Sequence, residues 1–153
     1  MTESMTARQL VAMITSQPGY TSAVGTRVLL AEAGRVHLAL ERRLDLLQFN
    51  GFFRGGVIAG LADHAGGGAV TTALPSGRIA ITIDLHVNFL SPADGECIVA
   101  KARAIQVGKT VSVAHVEVTT PANGEERLCV LCTVTLRTVE RRSERAAGGD
   151  RQE

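Results

Sequence analysis

The sequence predicts an α+β fold in which a curved antiparallel sheet wraps around one long central helix. Three observations carry that expectation. A run of small and apolar residues beginning at Gly55 has the periodicity and length of a helix. Ile79, Ile81, Ile83, Leu85, Val87 and Phe89 alternate with Ala80, Thr82, Asp84, His86 and Asn88, the period-two pattern of a half-buried strand. Beyond Arg78, turn-forming pairs cut the remaining chain into strand-length runs. With 153 residues and 45% hydrophobic content, the chain can bury one such core and is too short for two ordinary ones.

Taken in order, Thr6 to about Thr15 reads as a short helix with Leu10, Val11 and Ile14 on one side, ended by Gln17-Pro18-Gly19. Residues 1–23 are therefore expected to form an N-terminal helical arm. Val24 to Glu32 and Arg35 to Arg43 read as two strands joined at Ala33-Gly34, followed by an irregular stretch from Leu44 to Phe53. The helix from Gly55 comes next. After the strand of residues 79–89, Pro92-Ala93-Asp94-Gly95 turns the chain into Glu96 to Val107. Gly108-Lys109 is read as a two-residue hairpin into Thr110 to Thr120, and Asn123-Gly124 as another before Arg127 to Val139. The expected result is an antiparallel meander. Residues 140–153 have no periodic apolar set and read as a disordered tail of mixed charge.

Composition excludes several functions. The net charge of +1 gives no bulk electrostatic reason to bind nucleic acid or an anionic membrane, and 3% aromatic content with no Trp removes the stacking platforms of a single-strand binder. No nucleic-acid or membrane partner is expected. The start of the chain lacks the basic-then-apolar order of a signal peptide, and no apolar run of about 18 residues occurs, so a cytoplasmic protein is expected. Cys97, Cys129 and Cys132 are odd in number and fall in strands, which argues for core thiols. The Cys129–Cys132 spacing has no second pair to complete a tetrahedral metal site.

The helix from Gly55 is where chemistry is expected. A helix N-terminus exposes unpaired N–H groups and about half a positive charge, so the Gly55 amide is suited to polarise a carbonyl oxygen. Asp63 is the only charged residue on the helix itself. At about 100° per residue it shares a face with Gly56, Gly60 and Gly67, a glycine-floored groove beside a carboxylate. Val57, Ile58, Leu61, Ala65 and Ala69 form the opposite stripe, suited to burial against the sheet. The plainer alternative is that Asp63 is a solvated surface charge. His64 lies about 100° round the helix from it, where a packing role is expected, and His37, His86 and His115 form no nucleophile–base pattern.

Phe52-Phe53-Arg54-Gly55-Gly56-Val57-Ile58, Leu61-Ala62-Asp63, Asn88-Phe89-Leu90-Ser91-Pro92-Ala93 and Gly108-Lys109-Thr110 closely resemble the phenylacetic-acid-degradation type thioesterases of the hotdog-fold superfamily. The resemblance runs from about Gln48 to Val139. It implies a hotdog thioesterase domain over residues 24–139, and an enzyme that hydrolyses acyl-coenzyme A with no metal or organic cofactor. It implies Asp63 as nucleophile or general base, the Gly55 amide as holder of the thioester oxygen, and Gln48 as the amide that orients water or the acyl group. Thr82 aligns with a hydroxyl that assists the carboxylate, although the alternation puts it on the polar face, away from the helix, unless a bulge intervenes.

The resemblance further places Gly56, Asn88, Phe89, Lys109 and Thr110 in substrate binding, and Arg54 is added as the charged group at the helix start. Lys101, Arg103 and Lys109 are candidates to meet coenzyme A phosphates, the plainer alternative for a hairpin-tip charge such as Lys109 being that it is solvated. Arg54 stands where the family usually has His. It either holds a carboxylate or phosphate of the ligand or points into solvent. Eight residues, about 12 Å along one helix axis, separate Gly55 from Asp63, so one helix cannot bring both to one thioester. Two helices packed antiparallel about a two-fold axis can, which predicts a homodimer with shared sites. The resemblance implies a homo-oligomer, either that dimer or a dimer of dimers. The rival readings are a non-catalytic acyl-CoA binder, a hotdog acyl-thioester dehydratase and a purely structural dimerisation protein.

Overall fold

The computed structural model describes residues 4–142. Helices α1 (Ala7–Thr15) and α2 (Tyr20–Ala23) precede strands β1 (Arg27–Glu32) and β2 (Arg35–Glu41); a 3-10 turn at Leu44–Leu46 leads to α3 (Gly55–Ala73). Strands β3 (Arg78–Phe89), β4 (Cys97–Gln106), β5 (Val111–Ala122) and β6 (Glu125–Glu140) complete the chain. The six strands form one antiparallel sheet in the order β1-β2-β4-β5-β6-β3. The expected meander therefore holds only for β4-β5-β6. Strand β3 pairs with β6 and becomes an edge, because the helix enters between β2 and β3 and the chain returns on the far side of the sheet.

Helix α3 lies across the concave face, in contact with β2, β3, β4, β5 and β6. Its Ile58, Leu61, Ala62, Ala65, Ala69 and Val70 are buried against fully buried sheet residues such as Leu38, Ile98, Val116 and Leu136. Each large side chain so buried contributes about 1.5–3 kcal/mol. Val57, expected in this stripe, is only half-buried. The small residues set how close the helix sits: a Cβ on Gly66 would lie 2.8 Å from Val134 Cγ2, so β6 approaches the helix backbone itself.

Helix α1 starts as the sequence predicts, with a capping box between Thr6 and Gln9. It packs on β1 and α3, burying Val11 and Thr15. Two short elements were not expected. Helix α2 follows Gly19 directly and the 3-10 turn follows Arg43, because single turns carry no periodicity to read. Asn123 and Gly124, with φ of 52° and 80°, make the expected two-residue turn. The β4–β5 connection is instead four residues, 107–110, closed by the Gly108 N–H donating to Ser112 Oγ. Of the expected tail, Glu140 still belongs to β6 and the Arg141 N–H donates to Gly77 O; residues 143–153 lie outside those described. No described helix is long and apolar enough to cross a membrane.

Candidate active site

Two concavities flank α3, one at its first turn and one at its middle. At the first turn, Arg54 occupies the N-cap position without a side-chain capping bond, and Gly55 is the first helical residue. The Gly55 amide meets no acceptor among the described residues. Gln48 is fixed beside it by a loop: its N–H donates to Phe52 O at 2.8 Å, its C=O accepts from Gly51 N at 2.9 Å, and its Oε1 accepts from Asn50 N. Tyr20, Gln48, Arg54, Gly55, Gly56 and Val57 line the resulting open depression. The Phe89 ring closes one side, with its Cζ 3.1 Å from the point a Cβ on Gly55 would occupy. Gly56 has nothing within 4 Å of that point.

The second concavity holds Asp63. The Thr82 hydroxyl donates to Asp63 Oδ1 at 2.6 Å, so Thr82 faces the helix, as the resemblance implies and unbroken alternation does not. The reason is a bulge. The β3–β6 register runs from Thr82 opposite Leu136 directly to Asp84 opposite Thr135, so Ile83 is the extra residue. Ala80 and Thr82 point inward before it, Leu85 and Val87 after it, and Ile81 and Ile83 are left 51% and 58% exposed. The unbroken apolar face read from alternation is thus two half-faces.

The glycine groove beside Asp63 is also corrected. A Cβ on Gly60 would meet the Tyr20 hydroxyl at 2.9 Å, so α2 fills that part of the face from within the same chain. His64 has the packing role expected of it: its Nε2 lies 2.9 Å from Thr15 Oγ1, joining α1 to α3. Burial holds the imidazole below its ordinary value, with Asp63 pulling weakly the other way, so the ring is neutral near pH 7. Cys132, on the inward face of β6, is pushed up to about 11 by burial and by the charge of Asp63. Such a thiol is not a nucleophile at neutral pH. Cys129, three residues earlier on the same strand, is also buried, with Sγ 3.4 Å from Pro92 O.

The other sequence candidates are spread out. Arg54 is exposed and makes no ion pair or side-chain hydrogen bond among the described residues. Asn88 is exposed on β3, next to Phe89. Lys109 and Thr110 are exposed in the β4–β5 connection and line neither concavity. Lys101 is paired with Glu126 on the outer face of the sheet and Arg103 is exposed two residues on. Among the described residues no three His, Cys, Asp or Glu side chains converge as a metal site. Sequence reasoning missed Tyr20, the chain's single tyrosine, because nothing local ties residue 20 to residue 60. It also missed the wall that α1 builds beside Asp63, although the Leu10, Val11 and Ile14 stripe was visible.

A six-stranded sheet wrapped on a 19-residue helix, with a carboxylate at mid-helix and a free glycine amide at its start, is matched by a family model described as "Thioesterase superfamily" over residues 50–129. The chain belongs to the thioesterase superfamily. It is a hotdog-fold thioester hydrolase. A protein of Halobacterium salinarum, provisionally described as an esterase, is 38% identical over 122 residues, covering 76% of this chain and 80% of that one. The human acyl-coenzyme A thioesterase 13 is 27% identical over 127 residues, 82% and 89% of the two chains. A thioesterase family protein from Silicibacter pomeroyi superposes with a TM-score of 0.84 at 28% identity, covering 88% of this thioesterase and 98% of that protein.

Proposed function

We propose that this thioesterase hydrolyses acyl-coenzyme A to the free acid and coenzyme A at sites shared between two copies of the chain. Asp63 either takes a proton from the water that attacks the thioester carbonyl carbon, or attacks that carbon itself to give a mixed anhydride that water then hydrolyses. In both cases the C–S bond breaks as a C–O bond forms, and the leaving thiolate takes up the proton that the water gives. The Gly55 amide of the partner receives the developing oxyanion, and Gln48 orients the water or the acyl group. The observation that carries this reading is the Thr82–Asp63 hydrogen bond, which fixes a carboxylate in a cavity wall with one oxygen left to react.

Sharing follows from distance, since the free Gly55 amide and Asp63 lie about 12 Å apart on one helix. The exposed edge of β3, with Ile81 and Ile83 on its surface, supports pairing with a second copy. Coenzyme A as the carrier is supported by two relatives' names: human acyl-coenzyme A thioesterase 13, and a 1,4-dihydroxy-2-naphthoyl-CoA hydrolase of Listeria monocytogenes that is 26% identical over 120 residues. A dehydratase would need a histidine free to work with the acid, and His64 is engaged with Thr15.

The test is thiol release from short, medium, long and aryl acyl-CoAs. The best substrate should reach a kcat/KM of at least about 10⁴ M⁻¹s⁻¹. Thioester binding seen by calorimetry without thiol release from any of them would make the protein a binding module instead.

A further inference from the structure

The cavity beside Asp63 is larger than a carboxylate and a water require. Its volume is about 420 Å³, within the range of small-molecule sites. Asp63 and Thr82 lie in one wall. Helix α1 contributes Leu10, Met13 and Ile14 to the lining, and α3 contributes Gly67 and Gly68.

Those two glycines separate a ligand site from a packing gap. Gly66 is demanded by a close and fully buried neighbour, Val134, whereas at Gly60 a Cβ would meet only the end of the exposed Tyr20 side chain. Gly67 and Gly68 are not demanded in this way. A Cβ on Gly67 would meet only Leu136 Cδ2 at 3.8 Å, and one on Gly68 would meet Val36 at 3.5 Å and Val11 at 3.8 Å, all ordinary contacts. Each glycine costs a helix interior about 1 kcal/mol against alanine. The packing would accept alanine at both positions; at Gly68 the added Cβ would rest on buried Val36 and Val11, and at Gly67 it would enter nearly open space, so what glycine keeps at Gly67 is open volume of the cavity.

Helix α1 is held in place as a wall. Its capping box orders the first turn, Val11 is buried, and Thr15 bonds His64 one residue from Asp63. Asp63 and Arg141 are the charged side chains of the cavity lining, His64 being neutral. Asp63 is bonded to Thr82, and Arg141 is anchored through its own backbone to Gly77, with its guanidinium Nη2 3.9 Å from Met13 Sδ.

We propose that the α1–α3 cavity holds the acyl group of the substrate, and that this group is apolar and several carbons longer than acetyl. Leu10, Met13 and Ile14 are then specificity residues, and Gly67 sets the depth available. The inference rests on the acyl-CoA reading above for the identity of the reacting head.

It is tested by binding, which separates it from that reading. S-methyl-, S-butyl- and S-octyl-coenzyme A are thioethers with no carbonyl to hydrolyse, and their affinities for the full-length protein are measured by calorimetry. The octyl compound should bind at least tenfold more tightly than the methyl compound. Gly67→Leu, whose Cβ fits without a clash, should cut that ratio at least fivefold by filling the cavity, and Met13→Asp should do the same from the α1 side by putting a charge in the wall. If either variant melts far below the wild type, the other decides. Equal affinities for methyl and octyl, a ratio unmoved by the folded variants, or tighter binding of an S-alkyl chain ending in a carboxylate would each overturn the proposal. A length preference that disappears in the variants would sustain it even if no thioester were hydrolysed, and only the hydrolase reading would then fall.

Discussion

The first turn of α3 and its middle offer opposite kinds of chemistry from one helix. At the first turn the reactive group is backbone: the Gly55 N–H is free because no residue precedes it in the helix to accept the bond. The surroundings are open, and Arg54, Phe89 and Gln48 are reached from solvent. At the middle, every backbone group is spent on the helix, so chemistry needs a side chain. Asp63 is accordingly enclosed by Thr82, His64 and α1. The difference teaches why the halves sit apart. A donor of this kind exists only at a helix start, whereas a carboxylate held by a neighbouring strand and shielded by a second helix is built at mid-helix, so a single chain carries two half-sites.

The largest expected effects break the two halves separately. Asp63→Asn keeps the shape and removes the charge, and kcat should fall at least about 10²-fold. Gly55→Pro deletes the donor at the first helical position, where proline is tolerated, and should cost about 10²–10³-fold, the exposed Phe89 ring shifting to admit the added Cβ. If the halves belong to different protomers, mixing the two variants should recover activity, up to about a quarter of wild type for random pairing of one intact site in half of the dimers. Steady-state thiol release on the mixture checks this, and no recovery would place both groups in one chain's site.

A smaller effect is expected inside the enclosed half. Thr82→Val removes the hydroxyl on Asp63 while keeping the branched shape. A hydrogen bond to a charged group is worth about 1.5–3 kcal/mol, so kcat should drop roughly 10- to 100-fold, with Thr82→Ser retaining most of the activity. A Thr82→Val enzyme as fast as wild type would reduce that bond to a packing detail.

The smallest effect concerns how the enclosure responds to acid. Burial lowers the affinity of His64 for a proton in the folded state, so as pH falls through its ordinary value of 6.5 the unfolded chain binds the proton first. Stability from the neutral ring is present above that pH and is lost below it. His37 acts in the same direction through burial and the nearby Arg35 and Lys101. The melting temperature should therefore fall between pH 7 and pH 5, and His64→Gln, which keeps a partner for Thr15 without titrating, should flatten part of that decline. The open half has no comparable group, so its variants should leave the slope unchanged.

Legibility followed the same division. The helix start was readable from Arg54-Gly55-Gly56, and Asp63 from its isolation among small residues, because both signals are local. The orientation of Thr82 was not readable from the strand pattern. The resemblance set it beside Asp63 while alternation turned it away, since strict alternation cannot show that Ile83 is an extra residue when its β6 partners lie some fifty positions away. The glycines of α3 all look alike in sequence. Only their neighbours separate Gly66, which buried Val134 presses upon, from Gly67 and Gly68, which line a cavity.

By itself the sequence determined the class of fold, the one long helix, and the residue that charges it, since hydrophobic period and glycine placement act over a few neighbouring residues. Tertiary structure alone decided which way Thr82 points, that β3 lies at the edge of the sheet, and that α1 and α2 cover the flank of α3. Those outcomes depend on the register between strands and on the packing of segments distant in the chain, where a single bulged residue reverses a face and no local pattern records it.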